Sequence, residues 1–384
     1  MYDFVIIDEA SQCDIPSALP ILIRAKHAII IGDPRQLTHI CTVSQRLDWV
    51  LSRKTGFSSS HLYPSRFRYS DKSIYQCAEV APRRPSILLD EHFRSHHDII
   101  NLSNALFCRG RLVILTDPTK LLSCFGPTEP AIRWVDIRGQ VVRPPGGSAY
   151  NETEAKGVAD EVAHMVDQLH NESFTLGVVT PFSRQEHLIN EYLRSRIEPS
   201  VWESTKLLAA TAHKFQGDER DIMIFSPVVS EGIKAGTLYW LAETPNLFNV
   251  AISRARSLLI IVGNLAYCLQ SKGLLKQMAE YVHHLSIEAE LRLAEAESLL
   301  ASPAEKRLYE GLLQRGVKVT PKWRAGPYET DFAYVDGNFR LNIECDGAAY
   351  HLEAGRQRRQ HAPRQPSARP LGWEVLLQPL WLSN

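Results

Sequence analysis

The sequence predicts an α/β chain built on parallel sheets with flanking helices, followed by a small α/β domain of different character. Three observations carry that expectation. Short runs rich in Val and Ile, "FVIIDEAS", "AIIIGDPRQL", "LGVVTPFSRQ", "DIMIFSPVVS" and "LLIIVGN", recur through residues 1 to about 268. Continuous apolar runs separated by helical stretches are the pattern of buried parallel strands. Each run ends in small, polar or acidic residues, at the C-terminal strand ends where open α/β sheets build their sites. After about residue 302 the pattern changes to one helix followed by an alternating hairpin.

Taken in order, the runs divide into two sheets. Residues 52–86, rich in Ser, Arg and Pro, read as a surface loop, and 138–150, "RGQVVRPPGGSAY", as a second break. "GLLKQMAEYVHHLSIEAELRLAEAESLL" is dense in Leu, Ala and Glu at helical spacing and predicts one or two helices over about 270–300. "SPAEKRLYEGLLQRG" predicts a helix with Ser302 as N-cap, Pro303 in the first turn and Gly316 just past the end. "YETDFAYVDGNFRLNIECDG" alternates as a β-hairpin whose two-residue turn is Asp336-Gly337.

Composition sets bounds. The 384 residues carry 44% apolar and 22% charged residues, ordinary for a globular protein with two or three domains. Lys plus Arg equals Asp plus Glu, 43 each, so any nucleic-acid surface must come from local placement of basic groups. Seven cysteines at 13, 41, 77, 108, 124, 268 and 345, with no CxxC pair, argue against a disulfide framework or a zinc site. No apolar stretch approaches the roughly 20 residues of a membrane span, and no signal-type segment opens the chain. The expected compartment is the cytoplasm, with no membrane partner.

The first constellation with chemistry is Asp8-Glu9 at the end of an apolar run. Such a pair can hold Mg²⁺ and orient water for phosphoryl transfer, although alone it reads more readily as a solvated strand end. An ordered series follows it. "GDPRQL" places Gln36 after a second strand, "LDEHFRSH" supplies Arg94, and "FNVAISRAR" supplies Arg254 and Arg256. Guanidinium groups reaching across a cleft neutralise charge that develops on phosphate.

"DEASQ", "GDPRQL", "LDEHFRSH", "GVVTPFSRQ", "TAHKFQGDERDIMIFS" and "NVAISRAR", in this order over residues 2 to about 264, resemble successive motifs of superfamily 1 helicases. The branch they resemble is that of the nonsense-mediated-decay and Okazaki-fragment-processing helicases. The resemblance implies ATP and Mg²⁺ as cofactors, with Asp8 as metal ligand, Glu9 as catalytic base and Gln36 at the γ-phosphate. Arg94 and Arg254 would be arginine fingers, and Gly217 and Glu219 would line the nucleotide cleft. Thr180 and Thr211 would touch the nucleic-acid backbone. It further implies a partial first RecA-like lobe over 1–86, a complete second lobe over 87–268 and a helical linker over 269–301. These helicases need GxxxxGK[ST] before the acidic pair, and no Gly-Lys-Ser or Gly-Lys-Thr occurs in these residues. The expectation is a truncated first lobe that does not hydrolyse ATP alone, or a separate polypeptide that carries the phosphate loop.

The second constellation lies in the hairpin. With the turn at 336–337, Val335 pairs with Asn338 and Asp331 falls opposite Asn342. Asp331 then shares a face with Glu344 and Asp346, as the diagonal neighbour of Glu344. Gathered carboxylates repel unless a cation joins them, and hard oxygen donors suit Mg²⁺ or Mn²⁺. The plain alternative is the polar outer face of an edge hairpin. Glu305 reads first as the capping-box partner of Ser302, and as a site residue second.

"SPAEKRLYEGL", "TDFAYV", "LNIECDGAAYH" and "LGWEVL", across 302–384, are similar to PD-(D/E)XK nucleases, more narrowly to domains related to very-short-patch-repair endonucleases. That resemblance makes Asp331 and Glu344 the metal-binding core, with Asp346 and His351 assisting. It departs from the pattern at "RQRRQHAPRQPSARPLGW", where Pro363, Pro366 and Pro370 stand in place of a helix. The leading expectation is an ATP-dependent helicase fused to a DNA endonuclease, acting on single-stranded or junction DNA, with RNA as a second substrate, in repair or defence. Two alternatives stand beside it: a non-catalytic nucleic-acid-binding scaffold, and a nuclease using the helicase remnant as a DNA platform.

Overall fold

The computed structural model describes residues 1–384 apart from 36, 38, 40, 57–66, 82–84, 118–119, 123–129, 171, 216–217, 301, 315–316, 318, 323, 326–327, 330, 337–338, 347–373 and 380–384. The chain forms two compact units, one of residues 1–116 and 135–278, the other of 117–134 and 279–384.

The first unit opens on two parallel strands, β1 (Tyr2–Ile7) and β2 (Ala25–Ile30), in register from Tyr2↔Ala25 to Ile7↔Ile30. Helix α1 (Ile15–Leu22) joins them; Asp14 caps it by accepting from the Ser17 N–H at 2.8 Å, and proline stands in its first turn. Helix α2 (Gln45–Lys54) follows, then α3 (Ile74–Glu79), which a reciprocal Ser73–Gln76 capping box starts inside the stretch expected to be loop. Ile7 and Ile30 pack on a small core of Ala10, Ala18 and Ile74. The opposite face of β1 differs from expectation: Phe4 is 62% and Ile6 64% exposed. Two strands can bury only the face that the helices cover, so the continuous apolar run is buried on one side alone.

The rest of this unit has the expected layers. Strands β3 (Glu91–His92) and β4 (Val113–Ile114) form a short parallel pair flanking α4 (His97–Ser103). Then come β5 (Ile132–Asp136), α5 (Glu152–Gln168), β6 (Leu176–Thr180), α6 (Ser183–Arg196), α7 (Pro199–Ser204), β7 (Leu208–Thr211), β8 (Arg220–Phe225), α8 (Ala235–Ala242), α9 (Pro245–Ser253), β9 (Ala255–Gly263) and α10 (Leu265–Gln270). The sheet order is β5-β9-β8-β6-β7, and the β7–β6, β6–β8 and β8–β9 pairs are parallel. All of β6 is buried, and Val158, Val162, Ile189 and Leu193 of α5 and α6 close against the core.

A single helix, α11 (Leu274–Leu299), runs in sequence from the first unit into the second. Helix α12 (Pro303–Gln314) begins where the Glu305 N–H donates to Ser302 Oγ at 3.2 Å. Strands β10 (Thr320–Pro321), β11 (Arg324–Ala325), β12 (Tyr328–Glu329), β13 (Phe332–Asp336), β14 (Phe339–Asp346) and β15 (Glu374–Pro379) follow. Four of them form a sheet in the order β10-β13-β14-β15, the last pair parallel. Its core holds Phe332, Ile343 and Tyr309, with the Tyr309 and Phe332 rings stacked at 5.9 Å.

The hairpin register corrects the sequence reading. Asp336 pairs with Phe339 and Ala333 with Asn342, a two-residue shift from the expected Val335–Asn338 pairing. Because side chains alternate with period two, the shift preserves the faces. Extending the register one step past Phe332↔Ile343 sets Asp331 directly opposite Glu344 instead of diagonal to it. Among the described residues no helix is long and apolar enough to cross a membrane.

Candidate nucleotide cleft and carboxylate site

The first candidate site forms where β1, β2 and β9 present their polar ends. Asp8 and Glu9 follow β1 directly, and Glu9 takes a left-handed φ of 49°. The Glu9 N–H donates to Asp8 Oδ1 at 2.8 Å, and Glu9 Oε2 accepts from Gln12 Nε2 at 2.9 Å. After β2 the chain passes Gly32, where a Cβ would stand 2.7 Å from the Tyr75 ring and 3.0 Å from Ser11 Oγ, so this close approach requires glycine. Asp33 then accepts from the Arg35 N–H at 2.9 Å.

Asn249 of α9 ties the β2 end to its surroundings. Its Nδ2 donates to the Arg35 carbonyl at 3.1 Å, and its Oδ1 accepts from Ser103 Oγ of α4 at 3.0 Å. At the C-terminus of the same helix, Arg254 is 4% exposed. Burial lowers its guanidinium from the usual range, and Arg94 adds to that; the negative charges of Glu9, Glu219 and Asp33 oppose it. Arg94 Nε meets Glu219 Oε2 at 2.8 Å, while Arg256 lies 3.8 Å from Glu219 and 3.4 Å from Asp221. His92 helps to shape the Arg94 loop: its Nε2 accepts from the Ser95 N–H at 2.9 Å. That role needs a neutral ring, and burial together with Arg94 pushes its pKa down to about 4.

Acidic strand ends from one side and arginines from the other thus converge on one region, with fixed positive charge suited to a polyphosphate. Asp8, Glu9, Arg94, Arg254 and Glu219 are all at this place, whereas Gln36 and Gly217 lie outside the described residues. Arg256, which the sequence offered beside Arg254, is also here; Asp33, Asn249 and Asp221 were missed by sequence reasoning, although each lies inside one of the quoted motifs.

Thr180 and Thr211 are partners across β6 and β7 at their C-terminal ends. Thr180 is 1% exposed, and its Oγ1 accepts from the Phe182 N–H, so in this structure it offers no surface to a ligand; Thr211 is half-buried. Beneath them lies a polar network that the sequence did not announce. Glu154, fully buried, accepts from Ser226 Oγ at 2.6 Å and the Val228 N–H at 2.8 Å. Gln185 donates to Ser226 Oγ and accepts from the Asn151 N–H. Burial drives Glu154 up to about 7, against the lowering effect of its two hydrogen bonds.

The second candidate site sits at the start of β13. Lys322 Nζ lies 2.8 Å from Asp331 Oδ1 and 3.2 Å from Glu305 Oε1. The other Asp331 oxygen accepts from the Cys345 N–H at 2.8 Å, and Glu344 Oε1 accepts from Asn342 Nδ2 at 3.2 Å. Asn342 is 6% exposed, and its Oδ1 has no hydrogen-bond partner. One step past the paired register, Asp331 and Glu344 stand opposite each other on one face of the hairpin, and Asp331 meets Glu305 through the Lys322 ammonium, which sequence reasoning missed. The Asp346 side chain and His351 lie outside the described residues. His96, His97 and Asp98 do bring ligand atoms within 4.8 Å of one another, but Asp98 already pairs with His97 Nε2 at 2.8 Å. The donor chemistry of the second site, hard carboxylate oxygens with an unpartnered amide oxygen beside them, fits Mg²⁺ or Mn²⁺.

Among known proteins, the AAA_12 family model, an AAA domain, matches residues 70–266, and AAA_11, also an AAA domain, matches 1–43. A restriction-endonuclease model, REase_MTES_1575, matches 305–378. The chain is 29% identical to helicase sen1 of Schizosaccharomyces pombe, over 69% of this chain and 15% of that protein. It is 23% identical to regulator of nonsense transcripts 1 of Dictyostelium discoideum, over 89% of this chain and 24% of that one. With the DNA replication ATP-dependent helicase/nuclease JHS1 of Arabidopsis thaliana it shares 26% identity, over 68% and 19% respectively. The chain therefore spans a quarter or less of the length of these relatives.

Proposed function

From the premise that this chain belongs to the AAA_12 family of AAA domains, has superfamily 1 helicase relatives and carries a restriction-endonuclease-like domain, we propose that it couples an ATP-driven grip on nucleic acid to metal-dependent cutting of DNA. The observation that carries the first half is that buried Arg254 feels the charges of the strand-end acids Glu9 and Asp33, of Glu219 and of Arg94, while Arg94 pairs with Glu219. In this reading Asp8 holds the Mg²⁺ of the nucleotide and Glu9 orients the attacking water. Arg254, desolvated and held at the end of α9, faces the charge that develops on the transferred phosphate. Arg94 is kept in reserve by Glu219 and turns to the nucleotide when the phosphate competes for it. Bound Mg²⁺ would neutralise phosphate charge; the protein groups supply position and fixed dipoles. Grip on the strand falls to backbone-directed contacts around Thr211, so binding is salt-sensitive and largely indifferent to sequence.

The phosphates also need a cradle of backbone N–H groups and a lysine, and the 384 residues contain no Gly-Lys-Ser or Gly-Lys-Thr. In this reading turnover appears only when a glycine-rich phosphate loop is supplied, in the same chain or by a second polypeptide. The exposed face of β1, with Phe4 and Ile6, supports an added layer beside it.

For the second half, Asp331 and Glu344 are the cation's ligands and Glu305 is the third carboxylate. Bound there, a divalent cation would polarise water and stabilise charge developing on phosphate. Asp331 is oriented for this by the Cys345 N–H, and Glu344 by the Asn342 amide. Kinship with very-short-patch-repair endonucleases and a role in repair or defence belong to the same reading, as does DNA in preference to RNA. The test is strand binding by the chain fitted with a phosphate loop and by the same chain carrying Arg254→Ala, followed through polarisation of a labelled single-stranded DNA with and without a non-hydrolysable ATP analogue. Analogue-dependent change in affinity, lost in the variant, supports the cleft. Affinity that ignores the analogue in a chain fitted with a phosphate loop would sink it.

A further inference from the structure

The carboxylate site contains a cation of its own, and the structure assigns Lys322 a role there: it is the resident counter-ion, an ammonium that holds Glu305 and Asp331 and is exchanged for a divalent cation when the site is loaded. This deepens the nuclease reading and rests on it.

Three observations carry the assignment. First, Lys322 joins carboxylates from two different elements, Glu305 in the first turn of α12 at 3.2 Å and Asp331 just before β13 at 2.8 Å. Both acids belong to the set a metal would need. Second, all three side chains are largely removed from water, Lys322 being 18%, Glu305 10% and Asp331 19% exposed. Two acids in such a setting require a positive partner, and a long solvated side chain reaching in by chance would not be held so deeply. Third, the backbone is committed to this placement. Lys322 takes a left-handed φ of 49°, which a residue with a Cβ rarely adopts, and its N–H donates to the Asp331 carbonyl at 2.9 Å. The strained residue is the one that delivers the charge.

An ammonium is a point charge on a flexible four-carbon stem, so it can swing away when a doubly charged ion takes its oxygens. Asn342 Oδ1, buried without a partner on the same sheet face as Asp331 and Glu344, supplies a further oxygen at the site when the ion enters. Loading is therefore an exchange of one cation for another, and Lys322 is a positioning residue that keeps the acids assembled in between.

The decisive experiment uses the unaltered chain. Surface amines are acetylated briefly with and without Mg²⁺, Lys322 is quantified by peptide mass mapping, and Mn²⁺ affinity is measured calorimetrically on wild type, Lys322→Gln and Lys322→Arg. Exchange predicts that Mg²⁺ raises Lys322 labelling several-fold while other lysines hold steady. It also predicts that Lys322→Gln binds Mn²⁺ at least about tenfold tighter than wild type, having lost its competitor, whereas Lys322→Arg gains nothing. Without metal, Lys322→Gln should melt at a lower temperature than wild type and recover on adding Mn²⁺. If Mn²⁺ binds wild type and Lys322→Gln equally, or Mg²⁺ leaves Lys322 labelling unchanged while binding, the exchange is wrong and the metal site stands. Absence of Mn²⁺ binding in every form overturns the metal site, and the exchange with it.

Discussion

At the scale of single residues, the buried carboxyl of Glu154 gives the clearest prediction. In the folded chain its pKa is raised from 4.5 to about 7, because no water reaches it. Between those values the unfolded chain has lost the proton while the folded chain keeps it, so this group makes stability fall as pH rises from about 4.5 to 7 and stay low above. Full ionisation corresponds to roughly 3 kcal/mol. His92 acts in the opposite sense: its depressed pKa of about 4 makes stability rise with pH between about 4 and 6.5. A difference measurement separates them. Urea midpoints of wild type minus Glu154→Gln should show a slope confined to pH 4.5–7; a flat difference would mean that Glu154 is ionised in the folded state. Neither group could be read from sequence, because Glu154 is an ordinary helix position in "NETEAKG" until α5 turns it under β8.

Among elements, the hairpin of β13 and β14 shows what the sequence could and could not disclose. The helix before it, its Ser302 cap and the alternation of faces were all legible, since caps and period-two patterns are local signals. The register was not. "VDGNF" offers Asp336-Gly337 and Gly337-Asn338 as two-residue turns, and the choice falls to long-range packing of Phe332 and Ile343 under Tyr309. Lys322 was invisible for the same reason: its partners lie 17 and 9 residues away, with no motif to join them. The parallel strands of the first unit were plain from their Val and Ile runs. Exposure of β1 was not, because a strand's burial depends on its neighbours and not on its own residues. At this scale the nuclease reading predicts that Asp331→Asn cuts single-stranded DNA with Mg²⁺ at least about 100-fold more slowly than wild type. Equal cutting by both would assign the activity elsewhere.

For the whole molecule, the exposed face of its opening strand makes a prediction of its own. The β1 face leaves Tyr2, Phe4 and Ile6 in water at 66%, 62% and 64% exposure, on a parallel pair that other proteins bury. This face should drive self-association. Phe4→Thr with Ile6→Thr is expected to remove concentration-dependent broadening in sedimentation velocity, and unchanged behaviour would show that the face is harmless. The central claim of the proposed function is that the arginines and strand-end acids form a nucleotide cleft whose turnover depends on a glycine-rich phosphate loop. It is tested most directly by ATP turnover with Mg²⁺ and single-stranded DNA. The assay compares the 384-residue chain, the same chain with a GxxxxGK[ST]-bearing first-lobe segment fused ahead of Met1, and that fusion carrying Glu9→Gln. The account predicts no turnover from the first, DNA-stimulated turnover from the second and its loss in the third. Turnover by the 384 residues alone, or turnover in the fusion that survives Glu9→Gln, would contradict it.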